Sequence, residues 1–308
     1  MGYDMNLPST SVLSHSRAFH LNPNFTLLGG VDSDQSKRGL FSHVYSAPVF
    51  SDVKEALSYL TPEVVVVAAP TDEHAKILRD ILHLGRPGLV LCEKPLSYSL
   101  AEATQMVNDC QKTNTKLFVN YIRRSDSAVL KVKTMLDQEE IKGPFEGVAL
   151  YSKGIIHNGT HMIDLLTFWF GVPVVEEISH GPARPKPRDG TPDAALRFAS
   201  GSVRIESAGL ESNEFSLILR CANGTLRYRD SGHFVTWSPT SNSEENFQEN
   251  PAQASDRKLK SSMSVYQLRV AEEIMLAIEG FEPNLCSGEQ SLESLKIATE
   301  IMEEAWNR

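Results

Sequence analysis

The chain has 308 residues, enough for two domains of ordinary size. With 41% hydrophobic and 22% charged residues and no run of ~20 apolar residues, its composition is typical of a globular protein and excludes a membrane-spanning one. The net charge of -9 argues against nucleic acid and membrane partners, because proteins that bind either usually carry a surplus of Lys and Arg. A small-molecule ligand is therefore expected.

The spacing of the four cysteines bears on the redox compartment in which the protein is found. They form no CxxC pair and no close group, so neither a disulfide framework nor a zinc site is predicted. They are Cys92, Cys110, Cys221 and Cys286. A reducing compartment suits them, and we expect a cytoplasmic protein with no bound metal.

The first third of the chain alternates between strand and helix patterns. Short apolar runs at residues 25–32, 63–69, 88–92 and 116–121 predict strands, and unbroken runs such as 64–69 are typical of parallel strands covered on both faces. Apolar stripes between them predict helices, one of which starts with a capping box, Ser99 and Glu102. The fold class predicted for residues 1–121 is thus α/β, a doubly wound parallel sheet with its ligand at the carboxyl ends of the strands.

Asp32 follows the second strand expected in such a fold. An acidic residue there can accept hydrogen bonds from the ribose hydroxyls of NAD and would repel the 2′-phosphate of NADP. NAD is therefore the predicted cofactor, with NADP less favoured. The alternative, that Asp32 caps a helix or lies in a solvated turn, stays open on this residue alone.

The first strand of a dinucleotide-binding fold and its G-x-G-x-x-G turn are missing from the sequence. They should precede the helix at about residues 11–20, and the pair Gly29-Gly30 lies inside the predicted second strand instead. We therefore expect an incomplete N-terminal domain, an in-frame extension upstream of Met1, and poor NAD binding and stability in the chain as written.

From about residue 145 the pattern changes to strands without helices between them. Alternating runs and the hairpin signal Asn223-Gly224 predict a large antiparallel sheet. Residues 239–262 are polar and predict an excursion outside the core, and two amphipathic helices follow, the second capped by Ser287 and Gln290. Residues 122–308 are thus predicted to form a second domain of the α+β class.

Two motifs carry a resemblance to a known family. The first reads P-E-V-V-V-V-A-A-P-T-D-E-H from Pro62 and then L-V-L-C-E-K-P-L up to Leu96. This pattern resembles the Gfo/Idh/MocA family of NAD(P)-dependent oxidoreductases, whose N-terminal domain is Rossmann-like. The resemblance implies that Lys94 reaches the reacting hydroxyl, that Glu93 positions Lys94, and that Pro95 fixes the turn through a cis peptide.

The second motif is D-x-G-x-H-x-x-D, read here from His157 to Asp164. His161 and Asp164 match, whereas His157 replaces the first aspartate and could itself hydrogen-bond a hydroxyl. If this segment opens a helix, the three side chains share one face. A zinc site, an interdomain polar contact and a catalytic role all fit that spacing, and E-K-P favours the catalytic one.

The implied function is hydride transfer between NAD and a hydroxyl of a sugar, cyclitol or nucleotide sugar. The catalytic candidates are Lys94, His161, His157 and Asp164. The cofactor candidates are Asp32, Pro70, Thr71, His74, Glu93 and Lys94. The substrate candidates are Asn120, Tyr121, Arg124, Lys153 and Asn158, with Arg124 matching an arginine of the family. We further expect a homo-oligomer through the antiparallel sheet, and the competing hypothesis is a non-catalytic nucleotide-sensing regulator of the same fold.

Overall fold

The computed structural model describes residues 10–180, 189–240 and 256–306 and divides into two compact units. The first unit comprises residues 1–125 and 264–293, and the second comprises 126–263 and 294–308. The predicted division after residue 121 lies close to this boundary. The prediction that the second domain runs unbroken to residue 308 differs from these units, because residues 264–293 return to the first.

The first unit contains the alternating helices and strands that the apolar runs predict. In chain order they are α1 (His15–Leu21), β1 (Gly30–Val31), α2 (Gln35–Tyr45), β2 (Val49–Phe50), α3 (Val53–Tyr59), β3 (Val64–Val67), α4 (His74–Leu84), β4 (Leu89–Cys92), α5 (Leu100–Lys112) and β5 (Lys116–Val119). Near the end of the chain it gains α8 (Tyr266–Ile278), β14 (Cys286–Ser287) and the first part of α9 (Gly288–Trp306).

The main sheet of this unit has the strand order β14-β5-β4-β3. Strands β3, β4 and β5 are parallel and in simple register, with Val67 opposite Cys92 and Cys92 opposite Val119. All four residues of β4 are buried, as expected for a central strand covered on both faces. The predicted doubly wound α/β class is confirmed.

A second, two-stranded parallel sheet consists of β1 and β2 alone. The sequence predicts one continuous sheet and a strand over residues 25–32, but only Gly30 and Val31 are paired. In the usual order of this fold a further strand bonds to the strands that correspond to β1 and β3. No such strand occurs among the described residues, where β1 and β2 form a sheet separate from β3, β4 and β5.

Helix α8 belongs to the first unit because its apolar face completes that unit's core. Val270, Ala271 and Ile274 are buried in one cluster with Leu89 and Leu91 of β4. Removing such side chains from water is the main stabilising contribution to a core of this kind.

The second unit is built on an eight-stranded sheet of order β13-β12-β11-β10-β6-β9-β8-β7. Its elements are α6 (Ser127–Asp137), β6 (Phe145–Tyr151), α7 (Thr160–Phe170), β7 (Val174–Ser179), β8 (Asp193–Phe198), β9 (Gly201–Ser207), β10 (Ser216–Cys221), β11 (Gly224–Arg229), β12 (Phe234–Pro239) and β13 (Arg257–Leu259). It also includes the later part of α9. Every strand pair is antiparallel except β6 with β9, so the predicted α+β domain is confirmed.

Strand β13 corrects one prediction. It falls inside the polar stretch 239–262, where the sequence predicts no sheet, and pairs with β12 through Thr236 and Lys258. A strand on the edge of a sheet needs little apolar character, because one of its sides and often one face meet water. Residues 241–255 of that stretch lie outside the described part of the chain.

The predicted helix caps are observed with one difference. Ser287 and Gln290 exchange two hydrogen bonds, each backbone N–H donating to the other's side-chain oxygen. At α5, the Glu102 N–H donates to Ser99 Oγ, but the Glu102 carboxylate accepts from Ser97 Oγ instead of closing the box. None of the helices in the described ranges is long and apolar enough to cross a membrane.

Asp126 fixes the start of the second unit. The side chain is fully buried, and its Oδ2 accepts from the N–H groups of Ala128 and Val129 at the first turn of α6. Its Oδ1 accepts from Ser261 Oγ and from both the N–H and Oγ of Ser262. One carboxylate therefore caps a helix and ties it to a segment more than a hundred residues later.

We predict that Asp126→Ala lowers the free energy of unfolding by about 3 kcal/mol, because it removes a cap and leaves buried N–H and O–H groups without an acceptor. The measurement is urea unfolding followed by circular dichroism. Asp137→Ala is the matched control, since Asp137 ends the same helix in an exposed pair with Lys133 and should cost no more than about 0.5 kcal/mol. Equal effects of the two changes would contradict the assignment.

Candidate functional site

Predicted site residues meet at one edge of the main sheet of the first unit. Strands β3, β4 and β5 end side by side, and their backbone ladder continues beyond the strands through Glu93 N–H to Val67 O and Asn120 N–H to Cys92 O, each 2.8 Å. The pairs that follow the three strands are thus neighbours. They are Pro70 and Thr71, Glu93 and Lys94, and Asn120 and Tyr121.

Glu93 is the best-anchored side chain at this edge. Its Oε1 lies 2.7 Å from His15 Nε2 and accepts a hydrogen bond from Asn120 Nδ2 at 2.8 Å. Enclosure in the protein raises the pKa of the Glu93 carboxyl, but the bonds from His15 and Asn120 and the positive charges of His15 and Lys94 outweigh it and leave the pKa below its ordinary value. Glu93 therefore remains ionised at neutral pH.

Two members of this cluster are not predicted by the sequence. His15 is the first residue of α1, and Gln267 of α8 places its side-chain nitrogen 3.4 Å from His15 Nε2. Both lie far along the chain from Glu93, and neither belongs to a motif. Asn120 Oδ1 and Gln267 Oε1 are buried and accept no hydrogen bond from the described residues, so they could accept one from a ligand.

Lys94 is half-buried and follows Glu93 directly. The Lys94–Pro95 peptide is cis, as the resemblance predicts. Cys92, just before them, is fully buried, and burial raises the pKa of its thiol well above the ordinary value. The thiol is thus protonated and inert, and Lys94 and Glu93 are the ionisable groups presented at the end of β4.

His74 has a supporting position. Its ring is buried, with Nε2 2.9 Å from Ala69 O and Nδ1 3.1 Å from Pro95 O. The ring links the loop after β3 to the loop after β4, so any effect of His74 on a cofactor would be exerted through these loops rather than by direct contact.

Asp32 lies at the end of β1, in the smaller sheet. Its Oδ1 accepts from the Asp34 N–H at 2.9 Å, its Oδ2 is 4.0 Å from Lys37 Nζ, and Arg38 donates to its carbonyl oxygen. The turn expected as an alternative is therefore present, whereas the cap of α2 is Asp34. The half-exposed carboxylate remains open to solvent on one side.

Arg124 and Tyr121, two of the predicted substrate-binding residues, follow β5 in the first unit. Both are buried, and Arg124 Nη1 donates to Gln290 Oε1 at 2.6 Å. Gln290 is the residue that caps α9, so Arg124 joins the short helix after β5 to the start of α9. This contact gives Arg124 a structural role that the resemblance does not predict.

The second motif lies in a compact turn of the second unit. Lys153 and Gly154, just after β6, both have positive φ, and residues 155–159 form one π-helical turn before α7 begins at Thr160. The N–H of Gly159 donates to Gly154 O at 2.9 Å, five residues back. Single π turns are frequent at functional sites.

The π turn corrects the prediction that His157, His161 and Asp164 share one helical face. His157 is exposed in the turn, whereas His161 and Asp164 are buried in α7. His161 packs edge-on against Phe215, with ring centroids 6.4 Å apart. The physical reason is that His157 lies in the π turn while only His161 and Asp164 lie in α7, so the three residues do not belong to one regular α-helix.

Asp189 is a further acidic residue at this turn that no motif marks. Its carboxylate accepts from the N–H groups of Ile156 and His157, at 2.9 and 2.7 Å. Burial raises the pKa of Asp189 to about 6 despite these two bonds. A distinct cavity of about 470 Å³ in the same unit, between Leu136, Phe145, Trp169 and Cys221, contains none of the predicted site residues.

Comparison with known proteins covers most of the chain. Residues 12–121 match the Gfo/Idh/MocA model described as an oxidoreductase family with an NAD-binding Rossmann fold, and residues 154–308 match its C-terminal alpha/beta domain. An inositol 2-dehydrogenase of Rubrobacter xylanophilus is 29% identical over 53% of this chain and 50% of its own length. The uncharacterized oxidoreductase YrbE of Bacillus subtilis is 28% identical over 31% of this chain and 28% of its own. The chain thus spans half or less of the length of these relatives.

Solved structures resemble nearly the whole chain in fold. One is a putative NADPH-dependent oxidoreductase from Desulfitobacterium hafniense, with a TM-score of 0.79 and 19% identity. The match covers 96% of this chain and 92% of that protein's chain. The WlbA dehydrogenase from Bordetella pertussis, in complex with NADH and UDP-GlcNAcA, has a TM-score of 0.76 and 17% identity, covering 95% and 92%. At these identities the likeness concerns the fold.

Proposed function

The chain belongs to the Gfo/Idh/MocA oxidoreductase family, and on this premise we propose that it transfers a hydride between NAD and a hydroxyl-bearing carbon of a sugar, cyclitol or nucleotide sugar. The observation that carries the proposal is the E-K-P turn, with Lys94 at the carboxyl end of β4 beside the anchored carboxylate of Glu93. The inositol 2-dehydrogenase and the WlbA complex support the substrate class.

Lys94 would move the proton in this reaction. When a hydride leaves a carbon that bears a hydroxyl, the hydroxyl must lose its proton, and a neighbouring amine can take it. The bound nicotinamide supplies the hydride acceptor. Glu93 cannot swing freely because His15 and Asn120 hold it, so it fixes the backbone from which Lys94 extends.

His161 and Asp164 would serve the same reaction from α7. They are three residues apart on one helix and both are buried, so Asp164 can influence the orientation of the His161 ring. In this proposal His161 hydrogen-bonds the reacting hydroxyl, while Lys153, His157 and Asn158 in the preceding turn bind other hydroxyls.

The first unit offers groups that suit a dinucleotide. Asn120 Oδ1 is a buried acceptor at the ligand edge, suited to an amide or hydroxyl donor. The exposed side of Asp32 can accept from ribose hydroxyls, and we propose that Pro70 and Thr71, which follow β3, also contact the cofactor. These residues fit NAD, and the charge of Asp32 favours it over NADP.

We predict that Lys94→Ala lowers kcat by about 100-fold or more, the usual effect of losing a general acid or base. The measurement is NADH formation with a panel of inositols, sugars and nucleotide sugars. Lys76→Ala is the control, because Lys76 is an exposed lysine on α4 and should leave kcat unchanged. Near-normal turnover in Lys94→Ala would exclude the proposed role.

Cofactor choice gives a second prediction. Asp32→Ala should lower the ratio of kcat/KM for NAD over NADP by about fivefold or more, because the repulsion of the 2′-phosphate disappears. Asp80→Ala removes an acidic side chain from α4 and should leave the ratio unchanged. A wild-type protein that uses both cofactors equally would contradict the NAD assignment.

The competing hypothesis is a non-catalytic nucleotide sensor of the same fold. A sensor would bind NAD(H) without turning over any member of the substrate panel. Turnover that depends on Lys94 would rule it out.

We also propose that two copies associate through the open face of the large sheet. A row of paired residues crosses all eight strands, with Lys258 and Arg227 on one side of the exposed Ile218 and Val148 and with Arg204, ion-paired to Glu177, on the other. In order the row is Lys258, Thr236, Arg227, Ile218, Val148, Arg204, Ala195 and Glu177. A two-fold axis through the apolar centre would bring the Ile218 and Val148 side chains of the two copies together and Lys258 of one copy over Glu177 of the other.

Ile218→Glu should therefore convert an oligomer to a smaller species, because a charge would be buried in the apolar centre. Light scattering after size exclusion measures the change in mass. Val172→Glu introduces the same charge at an exposed apolar residue outside the row and should not alter the mass. A wild-type monomer, or an unaltered mass in Ile218→Glu, would contradict the interface.

A further inference from the structure

Asp189 reaches the motif turn from the segment just before β8. Both carboxylate oxygens are used, Oδ1 by the Ile156 N–H at 2.9 Å and Oδ2 by the His157 N–H at 2.7 Å. A second link runs beside them, from the Ile155 N–H to Gly190 O at 2.7 Å. The segment 189–190 thus receives the first three N–H groups of the π turn.

Gly154 makes room for this carboxylate. A Cβ at residue 154 would lie 2.1 Å from Asp189 Oδ2, and the φ of +102° is also unfavourable for any residue with a side chain. A side chain at residue 154 would therefore have to displace the Asp189 carboxylate from its present position.

The carboxylate satisfies groups that the turn cannot satisfy itself. The first N–H groups of any helical turn have no acceptor within it, and here they face the protein. With Asp189 ionised, each oxygen accepts one N–H. A protonated carboxyl would keep one good acceptor and turn an O–H donor toward the other N–H, so one of the two bonds would be lost.

Burial makes ionisation of Asp189 less favourable here than it is in water. Burial raises the pKa of Asp189 to about 6, and the hydrogen bonds of the turn offset only part of that effect. Among the described residues, titratable groups near it are Tyr151 from β6 and His157 in the turn. The Tyr151 hydroxyl donates to Pro192 O, 2.5 Å away, so it does not compete for the carboxylate.

We propose that Asp189 is a positioning residue of the substrate site: its ionised carboxylate holds the 154–159 turn in the shape that presents His157 and Asn158, and proton uptake from solvent loosens the turn and weakens substrate binding. The effect on substrate binding rests on the proposed function. The effect of the carboxylate on the shape of the turn does not.

Hydrogen exchange of the peptide that contains Ile156 and His157 tests whether the Asp189 carboxylate holds the turn. In Asp189→Asn the exchange of these two amides should be faster by about tenfold or more, because one charge-assisted bond is lost. Asp193→Asn is the matched control. Asp193 also accepts a backbone N–H, from Ser207, but does not touch the turn, so exchange at residues 156 and 157 should match wild type. Unaltered exchange in Asp189→Asn would overturn the proposal.

The pH dependence of KM tests whether protonation of Asp189 weakens substrate binding. The first measurement uses the wild-type protein. In the wild-type protein KM should rise as pH falls through about 6. Asp189→Asn should have a KM about tenfold higher at neutral pH and no further rise over this range, whereas kcat changes less. A wild-type KM in Asp189→Asn, or the same pH dependence of KM in both proteins, would overturn the proposed effect of Asp189 on substrate binding. Absence of turnover with every substrate would instead contradict the proposed function, and the exchange result would stand apart from it.

Discussion

The hydrogen-bonded carboxylate of Glu93 is the interaction on which the candidate site of the first unit depends. It joins the start of α1, the end of β4 and the end of β5, three segments that are distant in sequence. An enclosed carboxylate is costly unless its oxygens find donors, so His15 and Asn120 must stay in place for the charge to persist. Because Lys94 is the next residue, the direction from which its side chain starts is fixed by the same contacts.

In the second unit, two aspartate carboxylates likewise hold segments together by accepting hydrogen bonds. Asp126 is fully buried with five donors on its two oxygens, which makes it a permanent joint between α6 and residues 261–262. Asp189 has side-chain bonds to only two N–H groups of its turn, and burial raises its pKa to about 6. Asp126 therefore joins two distant segments of the unit, whereas Asp189 holds a single turn.

The sequence was sufficient where the signal is local. Unbroken apolar runs predict β3, β4 and β5, and the Ser287 and Gln290 pair predicts the cap of α9. It was insufficient where a residue acts on a distant segment, as His15 does on Glu93 and Asp189 on His157. The shared face predicted for the second motif failed for a local reason, because periodicity assumes α-helical turns and cannot reveal a π turn. Arg124 shows a third limit, since a motif position does not disclose a buried partner such as Gln290.

The central claim is that this chain moves a hydride from a hydroxyl-bearing carbon to NAD. The most direct measurement uses sugars, inositols and nucleotide sugars that carry deuterium on their hydroxyl-bearing carbons, followed by mass spectrometry of the nicotinamide product. The account predicts that deuterium from one position of one substrate class appears in the reduced nicotinamide ring, and that the transfer is lost with Lys94→Ala. Reduced nicotinamide without deuterium, or no reduction with any substrate while NAD binds, would contradict it.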